Sequence, residues 1–71
     1  MSDNAGSQSL RRQLRRHTIG MVAVECFVDV ETVTHWSNGV VIPEFVERRI
    51  LARIFDIPLN AWLEEPGELV F

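Results

Sequence analysis

Four arginines within six residues are the side chains that most directly indicate a chemistry. In "LRRQLRRH", Arg11 and Arg15 are four positions apart, and so are Arg12 and Arg16. On a helix each pair therefore lies along one face. Guanidinium groups bind phosphate oxygens through planar, paired hydrogen bonds. The spacing predicts a phosphate-binding edge, and a solvated helix face is the alternative interpretation.

The charge is divided unevenly along the chain. Residues 1–20 hold four arginines and one acidic residue, a net +3, while residues 21–71 hold three arginines and nine acidic residues, a net −6. The chain contains no lysine, which suits phosphate and guanine recognition but also fits a GC-rich coding sequence. The acidic part has the wrong sign for a nucleic-acid surface and suits a basic partner.

Few other residues suggest chemistry. His17 and His35 are far apart and have no ligand partner one helical turn away, so we expect no metal site. The sequence has no glycine-rich phosphate loop and no supported Ser/His/Asp set, so we expect neither enzyme activity nor a cofactor. Cys26 stands among apolar residues and is expected to be buried, with a reactive thiol as the alternative.

The length of 71 residues indicates one small domain whose stability is marginal unless it oligomerises. No apolar run approaches the roughly 20 residues that a membrane-spanning helix needs. The polar start "MSDNAGSQS" lacks the basic-then-apolar order of a signal peptide. We therefore expect a cytoplasmic protein with a disordered leader at residues 1–8.

Capping residues and apolar spacing predict about five short helices. Ser9 is expected to cap the first helix, and Thr18 the second. The second segment, "TIGMVAVECF", has a helical stripe but also β-branched residues, so strands remain an alternative. Asp29 is expected to cap a helix at residues 30–37 that ends at Asn38, with Gly39 in the left-handed C′ position.

Two prolines mark the later helices. Pro43 suits the first position of a fourth helix, and Pro58 opens a last short helix. Val33 and Trp36 of the third helix are expected to face the core. The apolar stripe expected on the fourth helix comprises Val46, Ile50, Leu51, Ile54 and Phe55.

"VDVETVTHWSNG", the proline after it and "RILARIFDIPLNAWL" together resemble the DNA-binding domain of the phage repressor and Cro-type helix-turn-helix family. The resemblance covers residues 18–63. It implies an all-α, lambda-repressor-like bundle over residues 9–65 and favours a helix for "TIGMVAVECF". Phe27 stands where the family's turn usually has glycine, so this turn is expected to be built differently or strained.

The resemblance implies a small sequence-specific transcriptional regulator, such as a phage- or plasmid-like repressor, whose helix 30–37 reads the major groove of double-stranded DNA. By position, the base-reading side chains would be those of Val30, Glu31, Thr34 and His35. The DNA backbone contacts would come from Arg11, Arg12, Arg15, Arg16, Thr32 and Asn38.

We expect a homodimer because one subunit has few cations for DNA binding. The candidate dimer contacts are Trp62, with core filling as its alternative, and Leu69, Val70 and Phe71 of the apolar tail at residues 66–71. Two other functions stay open. The same fold would serve as an acidic module that binds a basic protein, or the chain is an excisionase- or MerR-like winged-helix DNA binder, whose core has a similar pattern.

Overall fold

The computed structural model of the chain describes residues 3–65. Within this range the protein is all-helical and has no strand, as predicted. It contains four α-helices and a 3-10 helix, so the fifth predicted helix is a 3-10 helix. The elements are α1 (Ala5–Gln13), α2 (Ile19–Cys26), α3 (Val30–Ser37), α4 (Phe45–Phe55) and the 3-10 helix (Leu59–Leu63).

α1 begins earlier than predicted. The side-chain oxygen of Asn4 accepts a hydrogen bond from the backbone N–H of Ser7 at 2.7 Å, so Asn4 and not Ser9 is the cap. Residues 5–8 of the predicted disordered leader are helical, and Gly6 and Ser7 are buried. Small polar residues are typical of disordered segments. Here they allow α1 to pack closely against other elements, and local composition does not predict such packing.

α2 forms where local propensity left helix and strand both open. The hydroxyl of Thr18 accepts a hydrogen bond from the backbone N–H of Met21 at 3.1 Å, as predicted for the cap. α2 ends at Phe27, which has a left-handed backbone with φ of 60°. The turn thus keeps a left-handed conformation without a glycine, at a cost of about 1–2 kcal/mol. The turn is therefore strained, which is one of the two outcomes expected when Phe27 replaces glycine.

One core joins all five elements. Gly6 of α1 lies directly against the indole of Trp62, because a Cβ built on Gly6 would stand only 2.2 Å from a Trp62 ring carbon. Val33 and Trp36 are buried, as predicted. The large buried side chains are Leu10, Val22, Val33, Trp36, Leu51, Phe55, Ile57 and Trp62.

α4 differs from its prediction in two respects. Its cap is Glu44, so Pro43, which is buried, lies in the link before the helix and not at its first position. Leu51 and Phe55 are buried, but Val46 and Ile54, which were expected on the same stripe, are 65% and 47% exposed. The helix packs on one side only, through Leu51 and Phe55, and Ile50 is partly buried against the same core.

Candidate nucleic-acid interface

α2 and α3 form a compact pair joined by the three residues Phe27, Val28 and Asp29. The backbone N–H of Val28 donates to the carbonyl of Ala23 at 3.0 Å, which closes the end of α2. The Asp29 carboxylate then accepts from the backbone N–H of Thr32 at 2.9 Å and from its hydroxyl at 2.6 Å. These bonds fix the point where α3 begins, at Val30 as predicted.

The outward side of α3 carries the four residues predicted to read bases. Val30 and Glu31 are exposed, and Thr34 and His35 are half-buried. The Thr34 hydroxyl donates to the Val30 carbonyl at 3.0 Å, so its lone pairs are what it can offer a ligand. The Thr32 hydroxyl donates to Asp29 in the same way. The ring of His35 has no hydrogen bond within residues 3–65.

The charge around α3 is negative. Glu25, Asp29 and Glu31 are exposed, and residues 18–39 contain no arginine. Hydrogen bonds from the Thr32 hydroxyl and backbone N–H lower the pKa of Asp29, so its carboxylate stays ionised into acid. This surface therefore offers hydrogen-bonding groups but no fixed cation for a phosphate.

Arg11, one of the predicted DNA backbone contacts, has hydrogen-bond partners within the protein. Its guanidinium donates to the Ser37 carbonyl at 2.6 Å and to both carboxylate oxygens of Asp3, at 2.9 and 3.2 Å. The hydroxyl of Ser7 donates to the Trp36 carbonyl nearby. Arg11 thus ties α1 to the last residue of α3, and its hydrogen bonds lower the pKa of Asp3. Helix periodicity does not reveal these tertiary contacts.

The other three arginines of the run stay together, and we call Arg12, Arg15 and Arg16 the α1 arginine cluster. With Gln13 they line a shallow cavity of about 350 Å³. All three are exposed, and Arg12 also donates to the Ser9 hydroxyl at 3.1 Å. The binding of an anionic ligand by these three residues stays a prediction.

Asn38 lies at the end of α3 and is exposed, as a DNA backbone contact requires. Gly39 follows with φ of 76°, which is the predicted left-handed C′ position. Trp62 is only 1% exposed and fills the core, which is the alternative that the sequence left open for it. The other candidate contacts, Leu69, Val70 and Phe71, lie outside the described residues.

Cys26 is buried, as expected. Burial, together with the carboxylates of Glu47 and Glu25, raises the pKa of its thiol to about 11. The thiol is therefore protonated at neutral pH, which favours a packing role over a reactive one. Over residues 3–65 no group of three His, Cys, Asp or Glu side chains is arranged to hold a metal ion. No helix in this range is long and apolar enough to cross a membrane.

Exposed apolar side chains are the feature that sequence reasoning missed. Val24 and Phe27 are 72% and 88% exposed beside α3, and a second group follows Gly39. A signal for the second group was present in the run "VVIPEFV", where five apolar residues surround a proline.

The chain was compared with protein-family models, with curated proteins and with solved structures, and none of them matches it. The functional assignment therefore depends on the geometry of α2, α3 and the α1 arginine cluster.

Proposed function

We propose that the protein is a small, sequence-specific, helix-turn-helix DNA-binding regulator of the repressor or Cro type, with α3 in the major groove. The observation that carries the proposal is the α2–α3 pair. A three-residue turn with a left-handed first residue joins two eight-residue helices, and a turn of this length is characteristic of the motif. One side of α3 is buried and the opposite side is free to enter a groove.

Each outward side chain of α3 suits a base edge. Val30 can contact a thymine methyl group, Glu31 can accept a hydrogen bond from the cytosine N4 amine, and His35 can donate to guanine or to a phosphate. In this proposal Asn38 contacts the DNA backbone at the end of the helix. α3 therefore supplies sequence preference and little affinity.

Affinity is assigned to the α1 arginine cluster. Arg15 and Arg16 lie just before Thr18, the cap of α2, where the first backbone N–H groups of a helix have no intrahelical partner. Arginines beside a helix N-terminus make a suitable phosphate-binding edge. With three free arginines a single subunit binds weakly, so the proposal includes a homodimer on two half-sites about one helical turn apart.

Direct binding to duplex DNA of random sequence tests the proposal. Labelled duplex is titrated with the protein at low salt and followed by fluorescence anisotropy. We expect binding at tens of micromolar protein or below, within the range of about 1–100 micromolar for non-specific sites. No change in anisotropy under these conditions would overturn the proposal. Selection from a random DNA pool should then enrich a palindrome.

A second candidate function has its own observation. Val24, Phe27 and Val30 are exposed at intervals of three residues along α2, its turn and α3. Glu25, Asp29 and Glu31 are exposed next to them in the sequence. An apolar surface with an acidic border suits a basic, amphipathic protein segment.

Two variants distinguish DNA binding from the binding of a basic protein segment. If the acidic surface binds a basic helical peptide, Phe27→Ser weakens that binding and Arg15→Ala with Arg16→Ala does not. DNA binding by the same protein shows the opposite order of sensitivity, because phosphate contacts depend on the arginines.

A further inference from the structure

A band of exposed apolar side chains begins at the end of α3, where the backbone N–H groups of Val40 and Val41 donate to the His35 carbonyl. Val40, Val41 and Ile42 follow α3, and Phe45 and Val46 begin α4. These five are 43–65% exposed, and Leu63 at the end of the 3-10 helix is 69% exposed. We call these six residues the apolar band. So much contiguous apolar surface on a small domain is characteristic of an interface.

One end of the band is basic. Phe45 and Val46 line a groove of about 370 Å³ together with Arg49, Ile50 and Arg53. On a helix with 100° per residue, Phe45, Val46, Arg49 and Arg53 share one face. The guanidinium of Arg49 lies 6.0 Å from the centre of the Phe45 ring. Neither Arg49 nor Arg53 has a carboxylate partner within residues 3–65.

The other end of the band is acidic. Val40, Ile42 and Leu63 line a second groove, of about 530 Å³, together with Glu64 and Glu65. Trp62 also lines this groove, and its indole N–H is buried without an acceptor in the described part of the chain.

We infer that the apolar band is the contact surface for a second copy of this chain, in a two-fold symmetric dimer. In such a dimer the same surface meets itself with its ends reversed. Apolar residues then cover apolar residues, Arg49 and Arg53 face the partner subunit's Glu64 and Glu65, and the reverse pairing follows by symmetry. A surface with opposite charges at its two ends is complementary to itself.

The dimer does not use α3 or the α1 arginine cluster, so it stands independently of DNA binding. It differs from the dimer expected from the sequence, in which Trp62 and residues 66–71 form the contact. Sedimentation equilibrium of the full chain without DNA measures it. We expect a reversible dimer at concentrations up to about 1 mM. A chain that stays monomeric throughout this range would overturn the inference.

Charge reversal gives the sharpest test, because each reversal alone makes both ends alike. Arg49→Glu with Arg53→Glu leaves two acidic ends, and Glu64→Arg with Glu65→Arg leaves two basic ends. Each variant alone should dimerise at least about tenfold more weakly. An equimolar mixture of the two should form a heterodimer, and one chain with all four changes should dimerise again. If the mixture of the two variants dimerises no more tightly than either variant alone, the inference is contradicted.

The apolar part of the surface has a matched control. Val46→Asp should abolish dimerisation, while Val24→Asp, at an equally exposed valine on α2, should leave it unchanged. Leu69→Asp with Phe71→Asp should also leave it unchanged. Circular dichroism melting verifies that each variant is folded. Loss of the dimer with Val24→Asp or with the Leu69 and Phe71 changes would place the contact elsewhere and overturn the inference.

Discussion

The outward face of α3 and the α1 arginine cluster have opposite properties. α3 is held precisely, with Asp29 capping its start and Arg11 bound to the carbonyl of its last residue, but it carries no fixed cation. Arg15 and Arg16 are exposed cations that follow α1, and within residues 3–65 no hydrogen bond holds their side chains. One region thus supplies geometry and the other supplies charge.

This separation of geometry from charge is what allows an acidic chain to be a candidate DNA-binding protein. Phosphate contacts supply most of the affinity and position the protein, whereas base contacts supply sequence preference. The two tasks need not lie on one helix if the helices are rigidly joined. α1 and α3 are joined by the bonds of Ser7 to Trp36 and of Arg11 to Ser37. Substitutions in the packing of α1 should therefore have larger effects than substitutions within either region.

The largest effect is expected where α1 packs against the 3-10 helix. Gly6→Ala should lower the free energy of unfolding by about 3 kcal/mol, since its methyl group would collide with the Trp62 indole. Gly20→Ala is the matched control, because an added Cβ there would lie 4.0 Å from the Thr18 hydroxyl oxygen, an ordinary contact distance. Gly20→Ala should be neutral or stabilising. Urea unfolding measures both, and equal effects would refute the packing described here.

The second effect concerns base reading by α3. His35→Ala or Glu31→Ala should change the preference at one base pair by about 1–3 kcal/mol. Binding to a series of single-base operator variants measures it. Uniform weakening over the whole series would mean that these side chains contact the backbone and do not read bases.

The third effect concerns the turn that sets α3 against α2. Phe27→Gly should raise the free energy of unfolding by about 1 kcal/mol, because glycine adopts φ of 60° without strain. Phe27 is 88% exposed, so little packing is lost. Asp56→Gly, at φ of 61°, should gain less, since aspartate tolerates this conformation better than phenylalanine. If Asp56→Gly raised the melting temperature more than Phe27→Gly, the strain assigned to Phe27 would be contradicted.

The smallest effect is the acid sensitivity of the α3 cap. The pKa of Asp29 is lower in the folded protein than its ordinary value of 3.8, so ionised Asp29 stabilises the fold above that pH. The contribution is lost as the pH falls through the lower folded pKa. Asp29→Asn keeps a cap oxygen but does not titrate, so its melting temperature should fall less between pH 5 and pH 2, roughly the window of such a loss. Asp3→Asn is the corresponding variant for Asp3, the other carboxyl group whose pKa is lowered.

α3 was predictable from the sequence to the residue, because its limits are local. An aspartate cap, two core residues three apart and an Asn-Gly stop suffice to define it. α2 was not decided by propensity, and only the family resemblance favoured a helix. The first turn of α1 was missed because Asn4, Gly6 and Ser7 are ordered by Trp62 and Trp36, far along the chain.

The site was predictable in part, for a similar reason. The spacing of the four arginines placed them together in sequence, but only tertiary structure shows that Arg11 binds Asp3 and Ser37. Periodicity likewise placed Val46 and Ile54 in the core, although α4 is covered on one side only. The exposed apolar surfaces therefore emerge from packing and not from local pattern.

The salt dependence of DNA binding tests the central claim most directly, namely that the α1 arginine cluster supplies affinity to an α3 that has none. The slope of log K against log salt should become less negative by about 2 per subunit in Arg15→Ala with Arg16→Ala. Arg11→Ala should lower stability and leave the slope nearly unchanged, because Arg11 is bound to Asp3 and Ser37. An unchanged slope in the double variant, or an equal change in Arg11→Ala, would contradict the account.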